Sequence, residues 1–353
     1  MTRITVKASK AYDVYIGEGA SQMLNGLVPE LHARRAVLVC GDTVHSLYAK
    51  NIRSLLESSG LEVFEFNYPH GEASKNMQTL TELLSFMAES GLDRHDLAVA
   101  LGGGVTGDLT GFAAAVYMRG IRYIQIPTTL LSMADSSVGG KTAVDLPQGK
   151  NLAGAFWQPS FVLCDTAFLG SLPAEIFADG CAEIVKYAVL REPQLLPLLS
   201  DPHANIEELL RISISVKAAF VSEDELDKGK RQLLNLGHTV AHAIEKHSGF
   251  TVSHGRAVSM GLIAVCTAAE ANGDCKAGVS DTVRHALASL GLPVSCDYEL
   301  SELCKLMLSD KKKAGVDIIL AIPVYPGHCE LKKIPADKLY SYLLPAFANV
   351  HES

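Results

Sequence analysis

Residues 101–120 read LGGGVTGDLTGFAAAVYMRG, and residues 126–157 read IPTTLLSMADSSVGGKTAVDLPQGKNLAGAFW. An apolar run, Leu97–Leu101, enters a cluster of glycines, and a helix of small residues leaves it. A strand that breaks into glycines before a helix is a backbone built to hold an anion, because bare N–H groups and the positive helix end face one point. Lys141 and Lys150 follow, each beside a glycine, and add positive charge. The stretch points to nucleotide or sugar-phosphate chemistry.

Outward from it, strand and helix patterns alternate. Ala36–Cys40 reads as a short buried strand ending at Gly41-Asp42, with a helical pattern to about Ser58. Leu61–Phe66 is a strand, Lys75–Ser90 an amphipathic helix, Leu97–Leu101 a strand and Thr106–Tyr117 a helix. Tyr123–Ile126 and Phe161–Cys164 are further strands, and the N-terminus alternates like a strand pair. Strands separated by helices predict a parallel, doubly wound α/β sheet with ligands at the strands' carboxyl ends. Asp42, Gly102–Asp108 and Thr128-Thr129 are therefore expected to meet. After Pro173 helical patterns dominate: Ile176–Val189, Ile206–Val221, Thr239–His247, Ala257–Asn272, Val279–Leu290 and Leu300–Leu308, interrupted by one strand, Val316–Ile322. The reading is an α/β domain over 1–172 and a mostly α domain over 173–353, with the cleft between them as the default site.

Composition narrows the class. The chain has 353 residues, 48% hydrophobic and 20% charged, enough to bury an ordinary core. A net charge of −8 argues against a nucleic-acid surface. No apolar run reaches the roughly 18 residues that a membrane helix needs, and the N-terminus lacks a signal-peptide core. The eight cysteines stand at irregular spacings without a CxxC pair, as buried thiols of a cytoplasmic protein do.

Each motif has a plain alternative. Gly102-x-Gly104-x-x-Gly107 fits the dinucleotide pattern, but no acid lies between Asp108 and Asp135, where the ribose contact is usually found. Asp42, at an earlier strand end, can take that part only if the strand order is not the common one. Otherwise the glycines serve a tight turn and close helix packing. Gly140-Lys141-Thr142 resembles the end of a P-loop, but Asp135 stands where its first glycine belongs. His238, His242, His247 and His254 put four of the twelve histidines within seventeen residues, near Glu245, and Glu183 and Lys186 share a helical face. Imidazole with carboxylate suits zinc, yet no HExxH occurs, and spacing alone does not choose the ligands. Lys311-Lys312-Lys313 reads either as a solvated turn or as a phosphate clamp.

Taken together, GEASK (71–75), GGGVTGD, YMRG, PTTLLSMADSSVGGKT, GKNLAGAFWQP, AEIVKY, LLNLGHT and DKK resemble the 3-dehydroquinate synthase family, over about Tyr12 to Tyr340. The resemblance implies a Rossmann-like domain followed by a helical domain. It also implies NAD, zinc (or cobalt in its place), a homodimer and a phosphosugar acid as substrate. It implies Glu183, His238 and His254 as metal ligands. For NAD it implies Asp42, His70, Gly71, Glu72, Lys75, Gly103, Gly104, Val105, Thr106, Gly107, Asp108, Thr128, Thr129, Lys141, Lys150, Phe168, Leu169 and Ser171. Lys141, Asn151, Asn235, His242 and a lysine of Lys311/Lys312 would meet the substrate phosphate, with Arg119 reaching it from a partner subunit. Lys217 and Arg231 would hold the carboxylate, and Asp135 and Lys186 hydroxyls.

Four positions depart from the family's usual residues: Asp145 (asparagine), Ser171 (threonine), Glu175 (arginine) and Ala241 (glycine). The implied reaction takes 3-deoxy-D-arabino-heptulosonate 7-phosphate to 3-dehydroquinate in the shikimate pathway. Rival readings are another sugar-phosphate cyclase such as 2-deoxy-scyllo-inosose synthase, a metal-dependent glycerol-type dehydrogenase, and a non-catalytic phosphosugar binder. The Lys217/Arg231 pair favours a carboxylate-bearing substrate, since arginine pairs with carboxylate in bidentate fashion.

Overall fold

A computed structural model describes residues 1–309 and 317–347. The chain divides into two units: Met1–Leu172 with Lys217–Leu226, and Pro173–Val216 with the described residues from Asp227 on.

The first unit is built on strands β1 (Thr2–Val6), β2 (Tyr12–Gly17), β3 (Arg35–Gly41), β4 (Glu62–Tyr68), β5 (Leu97–Gly102), β6 (Arg122–Pro127), β7 (Lys141–Leu146), β8 (Gly149–Phe156) and β9 (Phe161–Asp165). Seven of them form one sheet in the order β1-β2-β9-β6-β5-β3-β4. All neighbours run parallel except β1 and β2. β5 and β9 are buried along their whole length, which is why they read as continuous apolar runs rather than alternating ones. The chain leaves β3 for β4 on one side and leaves β5 for β6 on the other. The crevice at the ends of β3 and β5 is thus the switch point where ligands bind in such sheets.

Helix Gly104–Val116 explains the glycines. A Cβ at Gly102 would lie 2.2 Å from Thr106 Oγ1, and one at Gly111 would lie 2.4 Å from Thr142 Cγ2. Each helical glycine costs about 1 kcal/mol against alanine, and close approach to β7 requires the one at 111. Helix Met77–Glu89 closes the same layer through Leu80, Leu83 and Met87, at most 2% exposed. Such side chains each contribute about 1.5–3 kcal/mol on burial.

In the first unit the strands and longer helices read from sequence agree with the structure to within a few residues, except for one hairpin. β7 and β8 form an antiparallel hairpin over 141–156, a stretch that reads as loop because glycine, lysine and proline interrupt any alternation.

In the second unit the longer helices are Ala174–Leu190, Ile206–Glu223 (to Val216 in this unit), His238–His247, His254–Ala271, Val279–Ser289 and Leu300–Ser309. Strands β10 (Ile318–Tyr325) and β11 (His328–Ile334) pair antiparallel around Pro326-Gly327. The expected strand Val316–Ile322 corresponds to β10, and Val316 lies outside the described residues; β11 is absent from the sequence reading. Helix His254–Ala271 is buried on nearly every side, hence its apolar composition all round.

Candidate active site

In the first unit the strand ends converge as expected. A Cβ on Gly103 would come within 3.2 Å of Thr129, and one on Gly104 within 3.2 Å of Ser136. Helix Gly104–Val116 begins at Gly103 with no side-chain cap, so its first-turn N–H groups remain available to an anion. β3 pairs directly with β5. Asp42 therefore ends the strand beside the glycine loop, although it precedes that loop in the chain by some sixty residues. Asp42 accepts from His70 Nδ1 at 2.6 Å, and this bond holds its carboxyl below the ordinary range.

Lys75 is 5% exposed and bridges Asp108 Oδ2 and Asn151 Oδ1, each at 2.6 Å. Burial works against its charge, but Asp108 and Glu72 outweigh it and raise its pKa. Lys150 lies 3.6 Å from Glu72. Lys217 donates to Asp135 O at 2.8 Å and pairs with Asp135 Oδ2 at 2.8 Å. Lys141 is exposed at the start of β7.

Several residues read as cofactor contacts use their side chains inside the fold. Thr106 Oγ1 meets Tyr68 Oη at 2.7 Å. Thr129 and Ser132 cap each other. Ser171 Oγ bonds Tyr48 Oη, and the Tyr48 ring packs 4.6 Å from that of Phe168. Phe168, Leu169 and Thr128 are buried; Val105 is partly exposed. Gly71 (φ 104°) turns the chain before Glu72. Met118 (φ 49°) and Arg119 (φ 67°) are exposed and consecutive in the left-handed region, where L-residues pay a steric cost.

The second unit holds the metal candidates. Glu183 sits mid-helix, fully buried, and its Oε2 pairs with Lys186 Nζ. Its Oε1 lies 3.2 Å from His238 Nε2 and 3.2 Å from His254 Nε2. One ligand atom from each of the three lies within 4.8 Å of the others. His238 follows Gly237 (φ 77°) and opens helix His238–His247; His254 opens helix His254–Ala271. Gly255 lets that helix approach closely: a Cβ there would fall 2.3 Å from Asp179 Cα and O. Ser253 Oγ donates to Asp179 Oδ1 at 2.8 Å and fastens the crossing.

The tautomers follow from the outer partners. His238 Nδ1 faces the Leu236 carbonyl at 3.1 Å, and His254 Nδ1 faces Glu245 Oε1 at 3.5 Å. Both partners accept, so each Nδ1 carries the proton, and the neutral rings turn bare Nε2 lone pairs toward the Glu183 oxygen. Lone pairs facing lone pairs need a cation or protons between them; the donor set suits zinc, leaving room for a further ligand. Without metal, a proton on His254 fills the role. Burial disfavours the His254 charge, but Glu183 and Glu245 outweigh it and raise its pKa to about 10. Burial likewise opposes the Glu183 carboxylate, yet Lys186 and His238 hold it well below the usual range.

Glu245 is 2% exposed. The sequence places it among the clustered histidines, but the resemblance assigns it no role in the site. Changing Glu245→Gln is expected to lower metal affinity about 10–100-fold with the fold kept. Competition with a chelating dye reads this, and an unchanged affinity removes Glu245 from the outer shell.

His242 is exposed, with its ring centroid 5.6 Å from that of His238. Arg231 is 1% exposed and Asn235 exposed, at opposite ends of the turn that precedes Gly237. Lys311 and Lys312 lie outside the described residues.

Family models described as 3-dehydroquinate synthase N-terminal and C-terminal match residues 65–179 and 180–313. The 3-dehydroquinate synthase of Streptococcus sanguinis (strain SK36) is 39% identical over 344 residues, 94% of this chain and 96% of that protein. That of Lactococcus lactis subsp. cremoris (strain MG1363) is 39% identical, covering 94% and 96%. The chain belongs to the 3-dehydroquinate synthase family. It is an enzyme, a lyase of this type.

Membership fits the solved structures too. The 2-epi-5-epi-valiolone synthase of Streptomyces hygroscopicus subsp. jinggangensis 5008, solved with NAD+ and Zn2+, superposes with a TM-score of 0.85 at 27% identity, over 97% of this chain and 98% of that one. A 2-deoxy-scyllo-inosose synthase solved with carbaglucose-6-phosphate, NAD+ and Co2+ gives 0.88 at 24% identity, over 98% and 99%. At that identity the likeness concerns the fold, so the rival cyclase reading has less support than the 3-dehydroquinate synthase family.

Proposed function

We propose that the chain converts 3-deoxy-D-arabino-heptulosonate 7-phosphate to 3-dehydroquinate and phosphate, with NAD held by the first unit and a divalent metal by Glu183, His238 and His254. The observation that carries this is the pair of Nε2 atoms aimed at one buried carboxylate oxygen. When bound, NAD would supply reversible hydride transfer and zinc or cobalt Lewis acidity.

The rest falls to side chains. The uncapped amides after Gly103 would receive the NAD pyrophosphate, and Asp42 the ribose. Glu72, Lys75, Asp108, Thr129 and Ser171 would line that site. Lys141, Asn151, Asn235 and His242, with a lysine of Lys311/Lys312, would hold the phosphate as it leaves, stabilising the charge that develops on it. Lys217 and Arg231 would clamp the carboxylate, and Asp135 and Lys186 would orient hydroxyls. Arg119, exposed on its strained turn, would serve a partner subunit's site in a homodimer, and the chain would work in the cytoplasm. Among the described residues no helix is long and apolar enough to cross a membrane.

The test is phosphate release from 3-deoxy-D-arabino-heptulosonate 7-phosphate with NAD and zinc, while reduced nicotinamide is followed. Release without net reduced nicotinamide is expected. Steady reduction of NAD by simple alcohols would move the chain to the dehydrogenases, and turnover of glucose 6-phosphate instead would favour the other cyclase. Arg231→Lys keeps the charge but loses the fork, so KM for the sugar acid should rise about 10–100-fold with NAD affinity unchanged. An equal loss of NAD binding would reassign the residue.

A further inference from the structure

The hairpin β7–β8 is irregular where it matters. Val144 pairs with Ala153 and Leu146 with Gly149, so Asp145 alone on β7 faces three residues of β8, Lys150, Asn151 and Leu152. Asn151 sits in this bulge with φ 56°, a left-handed conformation that asparagine tolerates better than most residues. Bulges of this kind re-aim a side chain.

A closed ring of hydrogen bonds holds it. Asp145 N donates to Lys75 O at 2.8 Å. Asn151 N donates to Asp145 Oδ1 at 2.8 Å. Lys75 Nζ donates to Asn151 Oδ1 at 2.6 Å, and also pairs with Asp108. The ring ties Lys75 to a hairpin some seventy residues further along the chain, and Asp145 holds the Asn151 N–H through its own carboxylate.

We infer that Asp145 is a positioning residue for the reaction: it fixes the β8 bulge so that the Asn151 amide is presented beside Lys75. This rests on the reading above, in which Asn151 meets the substrate and Lys75 the cofactor. The ring then couples a cofactor contact to a substrate contact without Asp145 touching either ligand. An asparagine here keeps the acceptor oxygen, so the charge is dispensable and the oxygen is not.

Four variants test it: D145A, D145N, N151A and D145A/N151A, with KM and kcat for the sugar phosphate, NAD affinity and thermal midpoint measured on each. D145A is expected to raise KM about tenfold, the scale of one hydrogen bond to a charged group, with kcat changed less. D145N is expected to restore KM to within about threefold. If Asp145 acts through Asn151, the double variant is no worse than N151A. Fully additive losses, or D145N as impaired as D145A, overturn the inference. If N151A itself leaves KM unchanged, the reading of Asn151 as a substrate contact fails instead, and the inference with it. Should D145A not fold, D145S, with a shorter oxygen acceptor, carries the same comparison: a KM above D145N's and no higher than N151A's supports the inference, and one equal to D145N's or higher than N151A's opposes it.

Discussion

The His254→Ala enzyme will purify without its divalent metal and turn over on the order of 10³-fold more slowly. The variant removes one of three convergent donors, leaving Glu183 and His238. Loss of Lewis-acid stabilisation of several kcal/mol corresponds to that factor. It also removes the hydrogen bond between His254 and Glu245, a 2% exposed carboxylate. Losing a hydrogen bond to a buried charged group costs about 1.5–3 kcal/mol, so the thermal midpoint should fall as well. Elemental analysis of the purified protein separates the effects. A variant that is destabilised but still carries one metal per chain would take His254 out of the ligand set.

A second large effect is expected in the first unit. Lys75→Met leaves Asp108 without its ammonium partner in a site where the lysine side chain is 6% and the aspartate 19% exposed. Breaking a buried pair by removing one charge costs about 3–5 kcal/mol, enough to lower the midpoint by roughly 5–15 °C. Solvent screening does little to reduce this at such burial. Adding Asp108→Asn removes the orphaned charge, so K75M/D108N should recover most of the stability. NAD affinity should not return with it, because Lys75 is gone. Recovery of both would mean that Lys75 serves only the fold.

The parallel sheet was legible because β3, β5 and β9 are buried apolar runs and the glycines fall where β5 ends. The hairpin β7–β8 was not legible: its partners are set by a bulge, by Gly154 against Thr142 O, and by contacts to Lys75, none of which leaves a period in the sequence. β11 carries a Pro-Gly turn before it but only weak alternation, since Leu331 is exposed and two consecutive lysines precede the buried Ile334. The metal triad emerged from resemblance rather than spacing, because its three ligands lie on three helices and only the Gly255–Asp179 crossing brings His254 beside Glu183. The hydroxyls of Thr106, Thr129 and Ser171 show the opposite limit. A motif can mark a residue as lying at a site without revealing that its side chain is already engaged in holding the loop.

That helix crossing has a bearing on protein design. Transplanting Glu183, His238 and His254 into another helical scaffold would not reproduce the centre, because the three side chains do not define their own spacing. The spacing comes from two places where backbone rests on backbone. One is Gly255 against Asp179. The other is Gly237 with Gly261, where a Cβ on Gly261 would sit 2.2 Å from the Gly237 carbonyl oxygen. A graft must import these bare crossings first and the ligands second.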